Sequence, residues 1–251
     1  MIDRCAFRRA VPGPLDDLIV AVLVYVDDIL VMGDQAAVDE VVARLEERFP
    51  VTSGGQDYLG LEITDDSSKG QVHVTQKTYA RKLLERFGYH DSNAVPTPVT
   101  VELSPLDVVP PASRTAEVLG SVGYLATRTM PWLLFAFGML ATIARPSAAV
   151  PGAPTAAARV ALARVLRYLR GNQDLGLTYT KQDEFRLDAW VDASHGREVH
   201  QTANGLCKSR SGGFIKASGA SVCALSASHW QATTALSRTS PHGRATTSGT
   251  R

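Results

Sequence analysis

Between Leu18 and Gly33 the chain reads Leu-Ile-Val-Ala-Val-Leu-Val-Tyr-Val-Asp-Asp-Ile-Leu-Val-Met-Gly, and few folds accommodate such a run. Leu18 to Val24 are all apolar, Tyr25-Val26-Asp27-Asp28 follows, and Ile29 to Met32 are apolar again. The pattern predicts two buried strands joined at an acidic tip. Neighbouring carboxylates at the mouth of a buried hairpin repel one another and resist desolvation, so the arrangement calls for a divalent cation. Mg²⁺ suits it, because that ion keeps several waters and takes one or two carboxylates plus phosphate oxygens, the chemistry of phosphoryl transfer. Asp-Asp is also an ordinary turn pair, its side chains bonding nearby N–H groups. Surface turns, however, are usually announced by Gly, Asn or Pro, and this one is set in an apolar run.

Composition sets outer limits. A chain of 251 residues with 45% hydrophobic and 20% charged content can bury a real core in one or two domains. Its 26 basic and 25 acidic residues leave a net charge of +1, so no global field attracts nucleic acid and local clusters would have to do so. Cys5, Cys207 and Cys223 are too scattered for a disulfide framework or a Cys-x-x-Cys zinc site, which fits a reducing compartment. The longest apolar run, Trp132 to Ala144, is shorter than the ~20 residues that span a bilayer and is read as a buried helix, with no membrane partner. No basic-then-apolar leader opens the chain, which predicts a protein that is not secreted.

The acidic hairpin resembles the Tyr-X-Asp-Asp motif of reverse transcriptases, in the Tyr-Val-Asp-Asp-Ile-Leu form of copia-type retrotransposon polyproteins. Asp3-Arg4-Cys5-Ala6-Phe7 resembles the strand before it, with Pro12-Gly13-Pro14 as the intervening turn. After Gly33, Asp34 is placed to cap a helix over 35–49 whose Val38, Val41, Leu45 and Phe49 share one face. Tyr58-Leu59-Gly60-Leu61-Glu62-Ile63 alternates like a strand, Asp65 to Gly70 reads as a loop, and Gln71 to Thr75 as the returning strand. This is similar to the family's Tyr-Leu-Gly-x-Glu-Ile segment, which positions the primer end. Gln76 to Phe87 predicts a helix with Tyr79, Leu83, Leu84 and Phe87 on one side; its basic residues suit either a nucleic-acid backbone or solvent.

Five prolines between Asn93 and Arg114 mark an extended linker or wrapping loop. Gly120-Ser121-Val122-Gly123-Tyr124-Leu125 and Thr129-Met130-Pro131-Trp132-Leu133 follow, where the family has Gly-Ser-x-x-Tyr-Leu and Thr-Arg-Pro-Asp-Ile. Met130 and Trp132 therefore replace an expected charged pair. Ala156 to Arg170 is a strong helix, closed by Gly171 as its C-terminal glycine. Arg164-Val165-Leu166-Arg167-Tyr168-Leu169-Arg170-Gly171, then Leu175-Gly176-Leu177-Thr178-Tyr179, closely resembles the copia pattern. Arg159, Arg164, Arg167 and Arg170 form a local guanidinium row suited to phosphate contacts.

Leu187-Asp188-Ala189-Trp190-Val191-Asp192 resembles the first strand of a ribonuclease H domain, which implies that Asp192 binds a catalytic Mg²⁺. Ser211 to Ile215 and Ala224 to Ser228 resemble its next two strands. Where that family's helix carries glutamates, this chain has Ser237-Arg238-Thr239-Ser240-Pro241-His242-Gly243, and Pro241 would interrupt the helix. His195, His200 and His242 match no metal-ligand spacing and read as scattered surface residues.

The expected fold is α+β: a partial polymerase palm of antiparallel hairpin plus helices with the start of a thumb (1–92), a Pro-rich linker (93–115), a helical thumb or connection (116–172), an incomplete ribonuclease H-like α/β domain (173–240) and a disordered tail (241–251). The resemblance implies a fragment of an RNA-directed DNA polymerase using Mg²⁺. Asp27 and Asp28 would be its catalytic and metal-binding residues, Tyr25 would sit near the primer terminus, and template-primer and dNTP would be its partners. In the family the fingers and the other palm aspartate precede the hairpin, so this stretch is expected to be inactive alone and to need that N-terminal half. An intracellular place, in a cytoplasmic particle or the nucleus, follows from the same resemblance. The alternative is a non-catalytic transposon-derived remnant or nucleic-acid-binding module. The two part on whether the acidic tip faces an open basic cleft near Arg159 to Arg170 or is covered by a later segment.

Overall fold

In the first sheet the alternating apolar stretches pair in chain order. A computed structural model describes residues 5–11, 17–52, 55, 57–99, 110–144, 156–182, 186–198, 206–218 and 220–232. Strands β1 (Ala6–Val11), β2 (Asp17–Tyr25) and β3 (Asp28–Gly33) form an antiparallel meander in the order β1-β2-β3. Helix α1 (Gln35–Glu46) lies against β2 and β3, and its Glu40 takes a 2.9 Å ion pair from Arg9 of β1. Asp34 does occupy the N-cap position, but its backbone carbonyl rather than its side chain receives the helix N–H groups. The expectation of two buried strands needs correction. Val20 is buried, while Phe7, Tyr25, Val26, Ile29 and Met32 are exposed, because the one short helix covers only part of the sheet. On α1 itself Ala37 is the buried residue, and Phe49 falls beyond the helix end and is exposed.

The second sheet joins distant parts of the chain. Strands β4 (Asp57–Tyr58), β5 (Leu61–Asp66), β6 (Gln71–Thr75) and β7 (Gly176–Thr180) pair antiparallel in the order β4-β5-β6-β7. Tyr58 to Ile63 is therefore not one strand. Leu59 (φ 53°) and Gly60 (φ 73°) are both left-handed and turn the chain so that Tyr58 pairs with Leu61, the geometry of a two-residue primed hairpin. The Tyr124 hydroxyl donates to the Leu59 carbonyl at 3.1 Å and fixes this corner. Strand β7 opens the span read as the ribonuclease H-like region, yet it pairs with β6 of the hairpin region.

Between β6 and β7 the chain builds a helical layer: α2 (Lys77–Phe87), α3 (Thr115–Arg128), α4 (Leu134–Ile143) and α5 (Ala156–Asn172), with short 3₁₀ turns at Ala112–Arg114 and Pro131–Leu133. Leu84, Val118, Val122, Leu125, Met130, Leu133, Leu162, Leu166 and Leu169 are fully buried where these helices meet. The apolar face expected on α2 is present, with Leu83 and Leu84 buried and Tyr79 and Phe87 packed on the cluster. The run from Trp132 to Ala144 is only partly buried. It starts in the 3₁₀ turn and continues as α4, which buries Ala136 and Leu140 but leaves Trp132 and Phe135 exposed.

One cap comes from a distant carboxylate. Glu62 Oε1 on β5 accepts the Thr78 N–H at 2.6 Å, near the start of α2, where a negative charge also meets the positive end of the helix dipole. Replacing Glu62 with Ala should cost about 1 kcal/mol of stability, measured by urea unfolding, with loss of amide protection confined to the first turn of α2.

The third sheet is a long antiparallel meander of β8 (Leu187–Glu198), β9 (Leu206–Ala217) and β10 (Ala220–Ala232), in the order β10-β9-β8. It meets α4 through β10 and meets β7 through a Thr180 N–H to Ser218 carbonyl bond of 2.9 Å. The stretch carrying Ser237 to Pro241, the tail 241–251, His200 and His242 lie outside the described residues, as does 100–109 of the linker. Among the described residues no helix is long and apolar enough to cross a membrane.

Candidate functional site

The acidic tip is a two-residue hairpin. Tyr25 pairs with Asp28, leaving Val26 and Asp27 as the turn residues, with Val26 at φ 56°. Both carboxylates and the Tyr25 ring are exposed. That corrects the physical premise read from sequence: water solvates Asp27 and Asp28, so their mutual repulsion needs no cation to offset it. Among the described residues no later segment covers the tip. Two adjacent, freely hydrated carboxylates still fit Mg²⁺, which retains waters and accepts its remaining ligands from phosphate.

Asp192 sits elsewhere. It is an exposed residue of β8, paired with Gly212 in the third sheet, whereas Asp27 and Asp28 belong to the first. Among the described residues no group of three or more His, Cys, Asp or Glu side chains is arranged to hold a metal. The structure therefore does not unite the three aspartates in one cluster. His195 lies on β8, and its side chain is outside the described set.

The four arginines face the linker. Arg170 Nε donates to the His90 carbonyl, Arg167 Nε to the Asn93 carbonyl at 2.7 Å, Arg164 Nη2 to the Thr97 hydroxyl at 2.8 Å and Arg159 Nε to the Pro110 carbonyl at 2.9 Å. Helix numbering and partner numbering run in opposite senses, so residues 90–97 run antiparallel to α5, and Pro110 meets its first turn. The row read as a phosphate-binding surface thus also acts as a clasp for the wrapping loop. Gly171 belongs to the same clasp: it lies within α5, not beyond it, and an added Cβ would stand 2.9 Å from that of Ala94. Replacing Arg167 with Ala should release this part of the linker, seen as proteolytic cleavage between residues 89 and 99 at least several times faster than in the parent chain, since a charged donor to a carbonyl contributes about 1.5–3 kcal/mol.

Glu40 is held below the usual carboxylate range by its hydrogen bond from Arg9, with Arg44 adding attraction. In the β5–β6 turn, hydrogen bonds from Lys69 and Ser68 lower Asp66 to about 2. Burial pushes the Tyr89 hydroxyl up to about 12, close to where the linker meets α5. Sequence reasoning missed Glu62 as a helix cap and Tyr124 as the anchor of the Leu59-Gly60 corner. A lone glutamate on a strand gives no local sign of a partner that far along the chain.

Fold and site together define a mixed α/β protein of antiparallel sheets whose first sheet carries an open acidic hairpin. The comparisons narrow that class: over 180 residues, 70% of this chain, the sequence is 31% identical to the retrovirus-related Pol polyprotein from transposon RE2 of Arabidopsis thaliana, and 29% identical to that from transposon RE1. The counterpart from transposon TNT 1-94 of Nicotiana tabacum is 25% identical over 211 residues. The chain is a relative of a segment of retrotransposon Pol polyproteins. It spans only 12–15% of their length. An uncharacterized mitochondrial protein of Arabidopsis thaliana is 26% identical over 191 residues, and there the match covers 76% of the relative. No protein-family model and no solved structure matches.

Proposed function

We propose that this chain supplies the metal-holding hairpin and the adjoining helical layer of an RNA-directed DNA polymerase, and that it is one part of the catalytic unit. The observation that supports this best is the tip itself: Tyr25-Val26-Asp27-Asp28 forms a tight antiparallel hairpin with both carboxylates open to solvent. Relatives named as Pol polyproteins of transposons agree with it. Asp27 and Asp28 would hold Mg²⁺, which when bound polarises phosphate oxygens and offsets the charge of phosphoryl transfer. Tyr25, in the last pair of the hairpin, would pack against the primer end. The third sheet would be a ribonuclease H-like meander in which Asp192 stands without a carboxylate cluster among the described residues.

Two-metal chemistry needs carboxylates from more than one strand, so that one ion activates the attacking oxygen while both brace the phosphoryl group. The acidic tip found among the described residues would supply part of that set. Primer extension by the purified chain, with Mg²⁺, a homopolymer template and matching dNTP, should therefore give no incorporation above background. Incorporation that disappears in Asp27→Asn would show a complete polymerase and overturn the division of the site.

A second reading, a non-catalytic remnant or interaction module, draws support from the arginine row, which is engaged with the linker instead of an open cleft. It differs in predicting that no divalent ion localises at the tip.

A further inference from the structure

Away from the acidic hairpin, the start of α4, strand β7 and the β9–β10 turn region enclose a cavity of about 320 Å³, within the ~300–1,000 Å³ typical of small-molecule sites. Pro131, Trp132, Thr178, Phe214, Lys216 and Ser221 are among its lining residues. Trp132, in the 3₁₀ turn that leads into α4, is 38% exposed. Phe214 adds a second aromatic surface and stacks in turn on Trp190, ring centres 5.9 Å apart. Lys216 is half-buried in the same wall, directly opposite Asp188 of β8, whose carboxylate pairs with Arg186 at 2.7 Å; among the described residues no ion pair to Lys216 itself is formed.

An exposed aromatic face, a lysine whose cross-strand carboxylate is engaged by Arg186, and small hydroxyls around one hollow suit a ligand that is planar and aromatic at one end and anionic at the other. We propose that this cavity binds a nucleotide, with the base stacked on Trp132 and the phosphate paired with Lys216. Stacking on an exposed ring is tolerant of base identity, and the ammonium serves as a point charge for phosphate. Trp132 stands where the family resemblance expects aspartate, so the platform is a property of this chain. The choice of ligand class rests in part on the polymerase reading, but the site does not depend on metal at the hairpin.

The test is fluorescence anisotropy of a labelled oligo-dT with the full chain in EDTA, with unlabelled dTMP as competitor. Trp132→Leu should weaken oligonucleotide binding about tenfold, Lys216→Gln several-fold with a shallower salt dependence, and Trp132→Phe should retain most of the affinity. Competition by dTMP identifies a free-nucleotide site, and its failure with oligo-dT still bound identifies a strand site; either supports the proposal when both variants weaken binding. No binding, or wild-type affinity in Trp132→Leu that remains folded by circular dichroism, overturns it. Should Trp132→Leu fail to fold, Lys216→Gln decides, because it removes only a partly exposed charge: unchanged affinity there is also contradictory. The absence of metal keeps this outcome separate from that of the hairpin.

Discussion

Leu166→Ala should destabilise the chain by about 2–5 kcal/mol, the range for truncating a fully buried leucine and leaving a cavity. Leu166 has no exposed surface and sits on α5 in the cluster shared with α2, α3 and α4. It is flanked by Val165 and Leu169, also buried, and by Arg164 and Arg167, which hold the linker. Collapse of neighbouring side chains into the vacated volume is limited, because the clasp fixes the other side of α5. Urea unfolding should show a lower midpoint with an unchanged slope. A change below about 1 kcal/mol, well short of the usual range for such a deletion, would mean that α5 does not lie at the centre of this core.

Gly176→Ala is expected to cost roughly 3 kcal/mol, the upper end for overpacking. Gly176 opens β7 and pairs with Thr75 of β6, and an added methyl would collide with the Val74 carbonyl. The obstacle is backbone, which cannot rotate aside as a side chain would, so β7 must lift from β6. Amide protection should fall at residues 71–75 and 177–180 together while the α3–α4 pair keeps its own. That pattern distinguishes a broken strand pair from general loosening, and equal protection in variant and parent would contradict the pairing.

The parts of the fold that were legible in sequence are those fixed by local periodicity. The apolar spacing of α2, the helix propensity of α5 and the apolar runs on either side of Tyr25-Val26-Asp27-Asp28 place those elements correctly, because each pattern spans its own element. Tyr58 to Ile63 misled for a physical reason: Leu59 takes a left-handed conformation that sequence rules assign to Gly, Asn or Asp, and Tyr124 of α3, 65 residues away, holds it there. Gly171 misled because a helix-ending glycine and a close-approach glycine look alike until Ala94 is seen beside it.

The arginine row is the sharper lesson for the site. A basic helix face offers donors both to phosphate and to the chain's own oxygens, and the contacts made here, at sequence separations of 49 to 80 residues, leave no local trace. The acidic tip was legible in position, as the bend of a tight hairpin, but not in exposure, since the apolar strands beside it are only partly covered. Asp192 lies on a strand, in a sheet apart from the acidic hairpin, as the sequence reading expected.

The account turns on whether the hairpin tip engages a divalent ion. Mn²⁺, which takes the same oxygen ligands as Mg²⁺ and broadens nearby NMR signals, should selectively broaden the backbone amides of Tyr25 to Ile29 at substoichiometric amounts, and Asp27→Asn or Asp28→Asn should abolish the effect. Broadening spread evenly over the exposed carboxylates of the chain, or unchanged in both variants, would contradict a metal-holding role for the tip.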